Sequence, residues 1–195
     1  MKILRPFGPP IYENNILDTE INEINKYLDE DLFQDFNKKK KLDASKSLVG
    51  KVKEEIFIEK HYLESNILKI LSPHINQYLL NCNYSSHKEV IVTSCWTVRQ
   101  FESEYNPVHS HNGDVSGVLY LKFPKEKKNK KDGSITFINS PTFFLNTGHL
   151  TFYPNVGSIY LFPSYLLHTV YPIRDNNEER RSMSFNANIK PSPTI

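Results

Sequence analysis

His109-Ser110-His111-Asn112-Gly113-Asp114-Val115-Ser116-Gly117-Val118-Leu119-Tyr120-Leu121 runs two imidazoles, a polar turn and an apolar strand together without a break. Asn112-Gly113 is turn chemistry, and Val115 to Phe123 is a β-branched and aromatic run, so the pattern predicts a strand after a turn. In an extended segment residues i and i+2 point the same way, which puts both imidazoles on one side, where they can share one metal ion. The competing reading is a pair of histidines on a solvated loop, because Asn106, Ser110, Asn112 and Gly113 around them are polar or small.

Similar runs recur from Glu89 onward: Val90-Ile91-Val92, Ile135 to Ile138, Leu150 to Tyr153, Ser158 to Phe162 and Ser182 to Ile189, separated by Gly, Pro and Asn. Short strands at that spacing predict a sandwich or jelly roll. Upstream, Ile3 to Tyr12, broken by Pro6, Gly8, Pro9 and Pro10, predicts an edge strand that runs into a turn. Asp18 offers an N-cap to a helix over about 18 to 29, with Ile21, Ile24 and Leu28 on one stripe. Lys38 to Lys46 is expected to be a solvated loop. Leu63, Ile67, Leu71, Ile75, Tyr78, Leu79 and Cys82 form a helical stripe with Pro73 inside it, which predicts a kinked helix or two joined ones. The fold class is therefore mainly β with flanking helices (α+β), in one domain over 1–195: an N-terminal strand and supporting helices over 1–88, then a β core over 89–190.

Composition sets the outer bounds. The chain has 195 residues, 38% of them hydrophobic and 12% aromatic, enough for one sizeable core. A formal net charge of +2 gives no general electrostatic case for nucleic acid or an anionic membrane. No apolar run reaches the length of a membrane span, and Met1 to Pro6 breaks before a signal core could form. Cys82 and Cys95 cannot build a disulfide framework, so two free, buried thiols and a cytoplasmic setting are expected.

Two downstream residues complete the pattern. His168 follows the strand-like Gly157 to Phe162-Pro163 and leads into Thr169-Val170-Tyr171-Pro172, where a strand end can deliver a third metal ligand. Its alternative is a core histidine satisfied by a backbone carbonyl. In Arg180-Arg181-Ser182-Met183-Ser184-Phe185-Asn186, alternation puts Arg180, Ser182, Ser184 and Asn186 on one polar face. Arg180 with the Ser182 hydroxyl, and Tyr120 from a neighbouring strand, can hold a carboxylate by charge-assisted hydrogen bonds; the alternative for Arg180 is a surface salt bridge to Glu178 or Glu179.

These blocks together resemble the 2-oxoglutarate and Fe(II)-dependent oxygenases of marine bacteria and their phages. The likeness is carried by His109-Ser110-His111, Ser116 to Leu121, Gly133-Ser134-Ile135-Thr136-Phe137, Gly157 to Pro163, His168 to Pro172 and Arg180 to Asn186, and more weakly by Arg5 to Tyr12. It implies a double-stranded β-helix, a distorted jelly roll, with helices packed outside. His109 then takes the first position of the H-x-D/E motif, His168 that of the distal histidine, and Arg180 with Ser182 the R-x-S element for the distal carboxylate of 2-oxoglutarate, with Tyr120 sharing that carboxylate. The departure is His111, where the wider superfamily has a carboxylate. Either His111 coordinates in a three-histidine site or Asp114 supplies the third ligand; strand alternation favours His111.

The activity this implies is that of a dioxygenase with Fe(II), 2-oxoglutarate as cosubstrate and O2, coupling oxidative decarboxylation of 2-oxoglutarate to hydroxylation of an unidentified substrate. The alternatives are a cupin-like metal enzyme of isomerase type, which needs no 2-oxoglutarate clamp, and a non-catalytic jelly-roll binding module. Lys122 to Lys131 is read as a solvated insertion, Trp96 as a core or pocket aromatic, and Phe143 to Gly148 as a candidate lid, while His61, His74, His87 and His149 have no partner at ligand spacing.

Overall fold

In the computed structural model of the protein, two antiparallel sheets face each other, and helices cover the outer side of the larger one. The described residues are 2–4, 8–84, 88–126, 129–141 and 148–191. The N-terminal strand expected over Ile3 to Tyr12 is instead two, β1 (Lys2–Leu4) and β2 (Ile11–Asn15), paired with each other, and β2 lies inside the sheet against a later strand. Glycine and three prolines between them prevent one continuous ladder.

The first helix, α1 (Asp18–Tyr27), buries Ile21, Ile24 and Tyr27. Leu17 rather than Asp18 is its cap residue, and the Glu20 carboxylate accepts from the Leu17 backbone N–H at 2.9 Å. One π-helical turn over Leu28–Leu32 extends it. The lysine run is not a loop. It forms α2 (Phe36–Leu42), capped by Asp35, whose Oδ1 accepts from the backbone N–H of Asn37 at 2.9 Å and of Lys38 at 3.1 Å. Lys38 pairs with Asp31 and Lys39 with Glu54, so the cap and ion pairs outweigh the run's self-repulsion. A short strand unforeseen from sequence follows, β3 (Glu54–Phe57). The long helical stripe becomes α3 (Lys60–Tyr62), a π-helical stretch over Leu63–Ile67, and α4 (Leu68–Asn81), which contains Pro73.

The remaining strands are β4 (Lys88–Gln100), β5 (Asn106–His109), β6 (Val115–Lys122), β7 (Ile135–Ile138), β8 (His149–Phe152), β9 (Ser158–Pro163), β10 (Leu167–Val170) and β11 (Arg180–Pro191). The larger sheet has the order β1-β2-β9-β6-β11-β4-β3 and the smaller one β5-β10-β7-β8. Interleaved strands in two facing antiparallel sheets make the distorted jelly roll expected from the sequence.

Strand alternation splits the core in two. From the larger sheet Cys95, Leu119, Leu121, Met183 and Phe185 pack on Ile24, Leu28, Ile67, Leu71 and Ile75 of the helical layer. From its other face Val118, Tyr120, Tyr160 and Phe162 meet Ile135, Phe137, Phe152 and Val170 of the smaller sheet. Gly117 is required where it stands: it lies opposite Phe185, and a Cβ there would come within 2.4 Å of that ring. Neither cysteine forms a disulfide; Cys82 is half-buried and Cys95 fully buried, where burial pushes its thiol far up. No helix among the described residues is long and apolar enough to cross a membrane. The proposed lid, Phe143 to Gly148, lies outside the described residues apart from Gly148.

Candidate metal centre and anion clamp

His109 ends β5 and His168 lies in β10, and the two are direct partners across the antiparallel pair. Opposed residues on neighbouring strands point to the same face, so two imidazoles distant in the chain meet between the sheets. Their ring centroids are 4.3 Å apart. His111 follows just past the strand end, and its backbone N–H donates to the Ser164 carbonyl at 2.9 Å, which keeps the segment against the turn before β10. One ring nitrogen from each of His109, His111 and His168 lies within 4.8 Å of the others.

Backbone carbonyls fix the ring orientations. Pro107 O sits 2.7 Å from Nδ1 of His109, and Leu166 O sits 2.9 Å from Nδ1 of His168. A carbonyl can only accept, so both Nδ1 atoms carry the proton and both Nε2 atoms keep a lone pair. Burial lowers all three rings from the ordinary histidine value. His168 falls to about 3 and His111 to about 4, each helped by the charge of His109, while His109 is pulled back up by the Pro107 carbonyl. Three neutral imidazoles are what a metal ion requires. Nε2 of His111 and Nε2 of His168 are 3.2 Å apart. At the roughly 2.0–2.1 Å that imidazole nitrogen keeps from a divalent ion, that spacing suits two ligands about 100° apart on one ion. The donor set therefore fits a first-row metal.

Asp114 lies elsewhere. Its Oδ2 accepts from the backbone N–H of Ile189 at 2.7 Å, and it is not among the clustered ligand atoms.

Arg180 is 1% exposed and lines the same cavity as the three histidines, a space of about 220 Å³. Its Nη1 donates to Gln100 Oε1 at 2.9 Å, and the Gln100 amide is held in turn by donating to the Tyr171 carbonyl at 3.1 Å and to the Glu104 carbonyl. The guanidinium carbon lies 4.9 Å from the centroid of the Tyr120 ring. Nε and Nη2 of Arg180 and the hydroxyl of Tyr120 are buried with no hydrogen-bond partner. An unsatisfied buried polar group costs about 1–3 kcal/mol, so three in one place mark a cradle for an anion with acceptor oxygens. Burial lowers the guanidinium and raises the phenol, each opposed by the attraction between them. Ser182, buried and opposite Tyr120 in the β6–β11 ladder, also lines the cavity. Glu179 is not Arg180's partner; it binds Arg181 at 2.8 Å and Arg99 at 2.7 Å.

Three residues of consequence escape sequence reading. Gln100 orients Arg180. Arg181 points the opposite way from its neighbour and is fully buried beneath the helices, bound to Asp29 at 2.6 Å, Asn25 at 2.9 Å and Glu179. Glu55, from the unforeseen β3, is 1% exposed and faces the cavity. The alternation of Glu55-Ile56-Phe57-Ile58 hints at a strand, but nothing in it tells that Glu55 meets the histidines' cavity.

Residues 94–186 match the model of the family described as "Putative 2OG-Fe(II) oxygenase". No curated protein matches the chain in sequence. Among solved structures, the viral collagen prolyl hydroxylase of Paramecium bursaria Chlorella virus-1, in its 2OG complex, is 16% identical, with a TM-score of 0.59 over 91% of this chain and 94% of that one. A Pseudomonas putida prolyl-4-hydroxylase is 16% identical, with a TM-score of 0.52 over 90% and 91%. HygX of Streptomyces hygroscopicus, with nickel and 2-oxoglutarate bound, is 11% identical, with a TM-score of 0.56 over 95% and 83%. At these identities the likeness speaks for the fold. The matched span, 93 of the 195 residues, contains the three histidines, Tyr120, Arg180 and Ser182, and over that span the chain is similar to the 2OG-Fe(II) oxygenase family.

Proposed function

We propose that this protein is an Fe(II)- and 2-oxoglutarate-dependent dioxygenase that hydroxylates its primary substrate. The observation that carries the reading is that one cavity is lined by both the histidine cluster and the buried guanidinium of Arg180. His109, His111 and His168 hold the iron, which makes the third ligand a histidine in place of a carboxylate. Arg180, Tyr120 and Ser182 hold the distal carboxylate of 2-oxoglutarate, which supplies acceptors for the three unpaired donors. When bound, iron and cosubstrate supply the oxidising chemistry: 2-oxoglutarate and O2 yield succinate, CO2 and one oxygen atom for a substrate C–H bond.

The chain's own work is positioning. The Pro107 and Leu166 carbonyls fix two of the three rings, and Gln100 fixes the guanidinium. Ile135, Phe162 and Val170 give the cavity an apolar wall. Apolar neighbours lower the local dielectric and strengthen the charge-assisted bonds of Arg180 to a carboxylate. Hydroxylation as the outcome is supported by the prolyl hydroxylases among the solved relatives of this fold. An isomerase-type metal site needs no such clamp, so the unpaired donors of Arg180 favour the 2-oxoglutarate reading over it.

The test is anaerobic titration of the Fe(II)-loaded protein with 2-oxoglutarate. A weak visible charge-transfer band is expected as the keto acid chelates the iron. Iron demonstrably bound with no band at saturating 2-oxoglutarate would sink the reading.

A further inference from the structure

One buried charge in the cavity has no part in the scheme above. Glu55 lies opposite Val98 in the β3–β4 ladder, on the cavity side of the larger sheet. Its backbone is tied into the segment that covers it: Ala44 N–H donates to the Glu55 carbonyl at 2.7 Å, and Glu55 N–H donates to Ser45 Oγ at 3.4 Å. Gly50 lies directly over the carboxyl group, so closely that a Cβ there would come within 2.6 Å of Oε1. The Asn106 side chain bonds to the carboxylate, yet Oε2 is buried with no hydrogen-bond partner, and no ion pair reaches Glu55 among the described residues. Burial pushes the group up to about 7, with Asn106 pulling it back and Asp43 adding repulsion.

Such a carboxylate is costly, and among the described residues the Asn106 bond offsets it only in part, leaving Oε2 without a partner. Its surroundings describe what would. Leu48, Val49 and Val98 line the cavity beside it and suit methylene groups, and the Trp96 indole, 4% exposed, offers an aromatic face of the kind that attracts cations. The cavity is small, below the roughly 300–1,000 Å³ of sites that take drug-sized ligands, so beside a cosubstrate it admits a slender group.

Resting on the dioxygenase reading of the same cavity, we propose that Glu55 and Trp96 select the primary substrate, and that this substrate presents an ammonium group on an aliphatic stem. Oε2 accepts from the nitrogen, and the apolar side chains and the indole take the stem. The reacting C–H bond then belongs to the stem or to what it is attached to.

Trp96 is the single tryptophan of the chain and reports on its own cavity. The protein is titrated with n-butylammonium, n-butanol and butyrate, once metal-free and once anaerobically with Fe(II) and 2-oxoglutarate, and the Trp96 emission is followed. Butylammonium is expected to give a saturable change, with the other two at least tenfold weaker. Glu55→Gln, of nearly equal shape, is expected to weaken butylammonium at least tenfold and to leave 2-oxoglutarate binding unchanged. Gly50→Ala, which displaces the carboxyl without removing it, is expected to weaken it as well. L-lysine and Nα-acetyl-lysine amide then distinguish a free amino acid from a residue in a peptide. No response to butylammonium, equal affinity in Glu55→Gln, or a preference for butyrate would overturn the proposal. A missing 2-oxoglutarate band in the wild type would instead count against the dioxygenase reading, because the metal-free titration needs neither iron nor cosubstrate.

Discussion

Nε2 of His111 and Nε2 of His168 face each other across 3.2 Å in the cavity between the sheets. His168 keeps a lone pair at that nitrogen because its proton is committed to Leu166 O; His111 has no such restraint and can turn either tautomer toward its neighbour. His168→Ala or His111→Ala is therefore expected to cut bound iron to a small fraction of one equivalent, measured by metal analysis after gel filtration. Asp114→Asn is expected to keep full iron and to lose about 1 kcal/mol of stability through the weakened bond to Ile189 N–H. Full iron in His111→Ala with loss in Asp114→Asn would reverse the assignment of the third ligand.

Arg180→Ala is expected to weaken 2-oxoglutarate at least tenfold with iron binding intact, read by titration on the Fe(II) form. Tyr120→Phe separates function from stability more sharply. It removes a buried hydroxyl that has no partner, so the ligand-free protein should melt at the same temperature or higher, while the affinity for 2-oxoglutarate falls.

Arg181→Ala should behave in the opposite way to its neighbour. The side chain is buried with Asp29, Asn25 and Glu179, and its loss leaves the Glu179 carboxylate to Arg99 at 2.7 Å and the more distant Lys122 at 3.8 Å. Breaking such a buried pair costs about 3–5 kcal/mol, visible as an earlier denaturant midpoint. Metal content of the molecules that remain folded should be normal.

Glu55 gives a stability profile with a definite sign. Unfolded, the group ionises near its ordinary 4.5; folded, it holds its proton to about 7. The stability conferred by the neutral carboxyl is full below about 4.5 and is lost as pH rises through 7, amounting to about 3 kcal/mol at most. Glu55→Gln should therefore match the wild type at pH 5 and exceed it at pH 8, in melting curves taken without ligand. Equal curves at both pH values would show that the carboxyl is better solvated than its position indicates.

The histidines run the other way. Their folded values are depressed, so the metal-free protein should lose stability as pH falls from about 6.5 toward 4, while unfolded chains gain protons that folded ones refuse. The His111→Ala, His168→Ala double variant should flatten that limb of the curve.

The β core was legible because its alternation is strong. In β11, Arg180, Ser182, Ser184 and Asn186 separate cleanly from Met183 and Phe185, and both faces are occupied as the period of two demands. The convergence of His109, His111 and His168 was legible for the same reason. What stayed hidden depends on contacts between distant segments. Nothing local tells that Arg181 lies on an otherwise apolar face because helix α1 and the turn after it bring Asn25 and Asp29 to meet it. The lysines of α2 look like a loop until Asp35 is recognised as a cap and Asp31 and Glu54 as partners. Nothing local tells that Glu55 is buried, because the 44–50 segment that covers it does so through the fold.

The pairing of His109 with His168 has a consequence for how a molecule matures. These residues belong to strands that become neighbours only when β10 has docked on β5, late in the order of the chain. A half-finished chain offers at most His109 and His111, a two-nitrogen grip. Iron would be retained only after the smaller sheet has closed, and once there it would latch that sheet shut. Metal retention would thus report that β10 has docked on β5.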